Sequence, residues 1–250
     1  MTAKAVCGFV ERTFAASYTP QAMTKVLKRL GFVYKMPKKV PAKANEDVQR
    51  KFVEETLGPP MRTANDDTPL YFADGTHPSD TAHAALGWIR KGETRELKSN
   101  HGRQNINING ALSWPGREFV HRQTGRITSA EMILLFEDLQ ARHPMASAIR
   151  VVLDNARYNR SKELTAWFAR DYCRITLTHL PAYAPNLNLI ERFWWLFKKN
   201  TIYNEYFPTC ADFKAAVERF FARIEDYRNE IESLIADKFH FIGKFNPQPP

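Results

Sequence analysis

The spacing of apolar positions changes period near residue 60. Before that point apolar residues recur at helical steps. Phe9, Val10 and Phe14 seed a first short helix, which Ser17-Tyr18-Thr19-Pro20 breaks. Thr19 is placed to cap a second helix with Pro20 at its first position. Ala22, Met23, Val26, Leu27 and Leu30 form the stripe of that helix, and Gly31 ends it. Phe32-Val33-Tyr34-Lys35 is predicted as a short strand, the wing of a winged helix, and a third helix is predicted over 45–57, stopping at Gly58-Pro59-Pro60. Beyond residue 60, continuous apolar runs predict buried strands at 70–74, 149–154 and 174–180, with 84–89 and 105–114 as further strand candidates. Helices are predicted over 129–142 (Ser129 as cap), over 161–171, from Asn188 onward, and from Thr209 to Lys238. Strands followed by alternating helix and strand predict an α/β protein, a mixed sheet flanked by helices.

Charge divides the chain in the same place as the period does. The 250 residues carry a net charge of +9 with 44% hydrophobic and 12% aromatic content, a globular composition. Nine Lys/Arg and a single acid, Glu11, lie within residues 1–43, so nearly all the excess charge is at the front. Such a segment fits a polyanion, above all nucleic acid, and Lys25, Lys28 and Arg29 lie off the apolar stripe, where a recognition helix presents cations to DNA. Lys38 and Lys39 continue the basic run into an extended linker. Cys7, Cys173 and Cys210 are far apart, which argues against a disulfide framework or a cysteine zinc site and fits a reducing cytoplasm. No apolar run is long enough to span a bilayer, so no membrane partner is expected. The expected organisation is a partial winged helix-turn-helix region with basic linker over 1–43, a connecting helix and loop over 44–66, and a catalytic domain over 67–250.

Three acids are the candidates for chemistry. Asp74 and Asp154 each end an apolar strand, where α/β proteins place ligands. Glu191 follows the loop Leu180-Pro181-Ala182-Tyr183-Ala184-Pro185-Asn186-Leu187 at the start of a helix. With Asn188 as N-cap, Glu191 completes a capping box; on a helix apolar nearly all round it is also expected to be a buried carboxylate in need of a cation or hydrogen bonds. Turn and cap roles would account for each acid alone. His77 is placed either to orient a metal-bound water or to cap its loop. Trp194 and Trp195 are expected in the core, with base stacking as the lesser reading, and Arg157, Lys162, Lys198 and Lys199 flank the acids as candidates for phosphate contact.

Taken together, four blocks resemble the mariner superfamily of DDE transposases, in its bacterial insertion-sequence branch (the insertion sequence 630 group). They are Tyr71–Pro78, Gly87–Gly92, Val152–Tyr158 and Leu180–Trp194, the last being the most specific. The resemblance implies a ribonuclease H-like fold whose triad, catalytic and metal-binding, is Asp74, Asp154 and Glu191, with 36 residues between the last two. It implies two Mg²⁺ (or Mn²⁺) ions, hydrolysis at transposon ends, and attack of the freed 3′-hydroxyl on target DNA. Double-stranded DNA is the implied partner, as terminal inverted repeats and TA target sites, and the working form is a homodimer in the bacterial cytoplasm, associated with the nucleoid when bound. The sequence departs from the family at Gly75, where relatives often have an acid, and at Asn159, where they often have His. Relatives also carry a further helix-turn-helix unit ahead of the part that starts this chain, so the resemblance implies a front end cut short. A DNA-binding remnant without activity, and a nuclease of the same fold acting on another nucleic acid, stay open as alternatives.

Overall fold

The computed structural model describes residues 2–34, 40–100 and 104–243, in two compact units, 1–40 and 41–250. The first unit holds α1 (Ala3–Phe14) and α2 (Pro20–Arg29). Thr19 caps α2 as expected, its hydroxyl accepting from the Ala22 amide at 3.2 Å, and Gly31 turns the chain at φ 85°. Met23 is the buried residue of α2, while Lys25, Lys28 and Arg29 are exposed. Of the expected wing strand, residues 32–34 have no strand pairing, and Lys35, Lys38 and Lys39 lie outside the described residues.

In the second unit, α3 (Glu46–Phe52) does not stop at Gly58-Pro59-Pro60. A turn of π-helix, Val53–Leu57, carries the chain into α4 (Gly58–Thr63), with the Gly58 amide donating to the Val53 carbonyl. The widened turn puts both prolines in the first turn of the new segment, where a missing N–H costs little.

The sheet has five strands: β1 (Leu70–Thr76), β2 (Asn107–Ser113), β3 (Phe119–Thr124), β4 (Ile149–Leu153) and β5 (Ile175–His179). Their order is β3-β2-β1-β4-β5, with β1–β2 and β2–β3 antiparallel and β1–β4 and β4–β5 parallel. Alternate residues serve two cores. On one face Tyr71, Ala73, Val151 and Leu153 pack on α5 (Ser129–Arg142) and α6 (Lys162–Phe168). On the other, Leu70, Phe72, Ile108, Leu112 and Val152 pack on α7 (Ile190–Thr201), α8 (Cys210–Ala222) and α9 (Arg228–Leu234). The single helix expected from Thr209 to Lys238 is thus broken, with a 3₁₀ turn at Ile224–Tyr227 between α8 and α9. The N-cap of α5 is Thr128, one residue before the expected Ser129.

Two strand expectations fail for opposite reasons. Residues 84–89 stay irregular, with Leu86 and Trp88 fully exposed: this connection is tied to the end of α7 by a His83–Tyr203 bridge and an Asn204–Ala85 hydrogen bond, and no sheet edge receives it. Conversely β3, Phe-Val-His-Arg-Gln-Thr, is too polar to read as a core strand, yet it closes the sheet as an edge, where one side faces solvent.

Gly110 lies opposite Asp74 in the β1–β2 register, and a Cβ built there meets the Phe119 ring at 2.8 Å and Trp194 Cη2 at 2.9 Å. The bare backbone is what lets α7 lie close to the sheet beside β1. Gly110→Val should therefore lower the unfolding free energy by about 1–3 kcal/mol in urea titrations, a larger loss than Gly92→Val gives in the exposed turn.

Candidate functional site

Strand pairing sets the first two acids. Phe72 pairs with Val152 across the parallel β1–β4 ladder, so two residues further on Asp74 and Asp154 stand level, on the face covered by α7. Leu153 and Leu180 link the tips of β4 and β5 through a 2.9 Å backbone bond, and Asn155 Nδ2 donates to the Leu180 carbonyl at 2.5 Å. The loop that follows is nailed down by buried Leu180, Ala184, Leu187, Leu189 and Ile190. It delivers α7 to the same end of the sheet.

Glu191 arrives there by a route the sequence did not give away. No capping box forms. The Asn188 side chain turns away from the helix and its Nδ2 donates to the Ala73 carbonyl, 3.1 Å away, in a fully buried bond beside Asp74. Nor is Glu191 buried; it is exposed on the one open stripe of α7. The helix is apolar on the faces that meet the sheet and α8, and Glu191 begins the remaining face.

The acids are crowded. Asp74, half-buried, has its pKa pushed up to about 8, first by burial, then by the charges of Glu191 and Asp154. Asp154 is held differently: its Oδ1 accepts from the Ala156 amide and from Asn159 Nδ2, both at 3.0 Å. Asn159 is 5% exposed, and its own Oδ1 is buried without a partner. It supplies a donor to the second acid. The Tyr158 phenol is kept protonated by burial and by the charges of Asp154 and Asp74. The sequence singled out Asn159 only as a departure from the family pattern and gave Tyr158 no role of its own; the position of both beside Asp154 depends on the 3₁₀ turn Arg157–Arg160, which has no apolar period to reveal it.

None of the three acids is in an ion pair among the described residues. Nor does any group of three or more His, Cys, Asp or Glu among them, the triad included, close to metal-ligand geometry. The donor set nevertheless fits a hard divalent cation, since it is all carboxylate oxygen and no side-chain cation neutralises it. Among the other candidates, His77 Nδ1 is 2.6 Å from Asn107 Oδ1, tying the end of β1 to β2. Arg157 and Lys162 are exposed near Asp154, Lys198 is half-buried and Lys199 exposed on α7. Trp194 is in the core at 1% exposure, whereas Trp195, expected there too, is 47% exposed.

The sequence profile of the DDE superfamily endonuclease family matches residues 69–214, from β1 through α7 and into α8. The chain belongs to that family. A winged helix-turn-helix profile matches residues 1–56. A protein of an IS630 insertion element from Shigella sonnei, described as an uncharacterized 39 kDa protein, is 22% identical over 134 residues, covering 50% of this chain and 36% of its own length. The chain thus spans little more than a third of that relative. The Mos1 mariner paired end complex with Mn is similar at a TM-score of 0.64 and 16% identity, covering 94% of this chain and 71% of the other. The catalytic domain of Mos1 mariner transposase is similar at 0.52 and 14%, covering 80% and 93%. These likenesses are of fold: the DDE family member has the ribonuclease H-like mixed sheet of the mariner structures, with a helical helix-turn-helix region at its N-terminus.

Crowding of the acids has a measurable consequence. Folding raises the Asp74 pKa from 3.8 to about 8, so the native state retains a proton that the unfolded chain releases. This group's contribution is full below about pH 4 and is lost as pH rises toward 8. Asp74→Asn should therefore raise the melting temperature at pH 8 by several degrees, equivalent to about 1–3 kcal/mol, and not at pH 4. Millimolar Mg²⁺ should stabilise the wild type at pH 8 and leave Asp74→Asn unmoved; equal melting curves for the two chains with and without Mg²⁺ would contradict the shared site.

Proposed function

We propose that the chain acts as a DNA transposase, cutting strands at transposon ends and joining the freed 3′-hydroxyl to target DNA. The observation that carries this reading is the convergence of Asp74, Asp154 and Glu191 at one end of the sheet, none of them in an ion pair among the described residues. Two Mg²⁺ or Mn²⁺ ions held by these acids would supply activation of the attacking oxygen and stabilisation of the leaving one. The chain's own residues prepare that arrangement. Ala156 and Asn159 occupy Oδ1 of Asp154, which leaves Oδ2 as its outward ligand. Asp74, held protonated by burial and by the charges of Glu191 and Asp154, would have to release that proton to serve as a ligand. Burial and the charges of Asp154 and Asp74 keep the Tyr158 phenol protonated, so it adds no further negative charge to the acids.

DNA engagement is assigned to two sets of cations. Lys25, Lys28 and Arg29 form the exposed side of α2, opposite Met23, and would enter a groove of the terminal repeat, with Lys38 and Lys39 continuing along the backbone. Arg157 and Lys162, which follow Asp154 in the chain, and Lys198 and Lys199, further along α7 from Glu191, would hold the phosphates of the cut strand. Pairing of two ends requires two sets of acids, so a homodimer belongs to the same proposal, as does insertion at TA sites. Leu86, Trp88 and Ile89, exposed on the β1–β2 connection, offer apolar surface to a second copy.

Cleavage of terminal-repeat DNA in Mg²⁺ should fall by about a thousandfold in Asp154→Asn, and cutting that survives the substitution would sink the triad. Asn159→Ala should weaken Mg²⁺ binding about 10- to 100-fold, as loss of a ligand's supporting hydrogen bond does, with Asn159→His recovering most of it in titrations followed by thermal shift. Binding to the repeat should weaken with added salt along a log–log slope steeper than about −3.

A further inference from the structure

One side chain on α7 has no structural reason to be where it is. The helix buries Ile190, Phe193, Trp194, Leu196, Phe197 and Thr201. Its open stripe is Glu191, Trp195 and Lys199, spaced at steps of four, so the three side chains share one face. Trp195 lies one turn, about 6 Å, beyond the acid. It is 47% exposed, and among the described residues no aromatic ring stacks on it and its Nε1 has no hydrogen-bond partner. The Lys199 ammonium lies over it, 5.2 Å from the ring centroid.

An indole left open beside a carboxylate cluster, with lysines on the next turn, is built for a ligand that is flat on one side and anionic on the other. We infer that Trp195 is a stacking platform for an unpaired nucleobase next to the scissile phosphate, with Lys199 taking a phosphate of the same strand. A protein partner would be met by apolar neighbours, and those of Trp195 on this stripe are Glu191 and Lys199. A paired base has both faces covered, so the platform reads strand ends that are melted or already cut. The inference rests on the strand-cleavage reading for the word scissile; the stacking itself does not.

The test uses the full chain with Ca²⁺ in place of Mg²⁺, and measures Kd by fluorescence anisotropy for a duplex ending in a few unpaired bases and for its fully paired counterpart. The wild type should prefer the unpaired end by roughly 5- to 30-fold. Trp195→Ala should lose that preference with paired-duplex affinity held within about twofold, and Trp195→Phe, which keeps a ring, should retain most of it. A preference that persists in Trp195→Ala, a wild type with none, or a change of solution mass in Trp195→Ala that marks the face as a contact between copies would each overturn the platform. Plasmid nicking in Mn²⁺ separates this from the strand-cleavage reading: no nicking by a wild type that still prefers unpaired ends sinks that reading alone, and nicking without a Trp195-dependent preference sinks the platform alone.

Discussion

The parallel pairing of β1 with β4 is the constraint on which the site depends. Because Phe72 faces Val152, the two strands run out of step by no residue at all where Asp74 and Asp154 emerge. Side chains alternate along a strand, so a one-residue slip would turn either aspartate to the α5 face. The two cores guard against such a slip. Tyr71 and Val151 on one face, Phe72 and Val152 on the other, are all buried to 1% exposure or less, and no alternative register buries them equally. The third acid depends on the same strand, since the Asn188–Ala73 bond fixes the start of α7 to the residue before Asp74.

Holding three carboxylates together costs free energy, and the chain distributes that cost unevenly. Asp154 receives two donors, whereas Asp74 answers burial and its neighbours by keeping its proton. Glu191 stands at the open side, where water screens it. The arrangement is strained toward a cation without being collapsed into a preformed cage.

Much of this was legible in the residues. Leu70–Asp74 and Ile149–Asp154 read as buried strands because their apolar runs are short and continuous, and the acids at their ends followed. The cap of α2 at Thr19 and the helix start at Thr209 were equally plain, and the structure adds a capping box with Asp212 at the latter. What was hidden depended on partners distant in sequence. Asn188 looks like a cap until a strand carbonyl more than a hundred residues away takes its amide. The run 84–89 has strand composition but no edge to join, and β3 has an edge but no strand composition. Trp194 and Trp195 are indistinguishable in sequence; a rotation of 100° along the helix sends one into the core and the other to the surface.

The Asn188–Ala73 bond gives α7 a fulcrum. Glu191 is three residues from it, about 4.5 Å along the axis, and Lys199 eleven residues away, about 16 Å. A tilt about that point therefore displaces the far end between three and four times as much as the acid. The far end, however, is held as well, by buried Phe197, Thr201 and Ile202 and by the His83–Tyr203 bridge just beyond them, so the longer arm is clamped and the acid sits on the shorter, where any residual tilt is smallest.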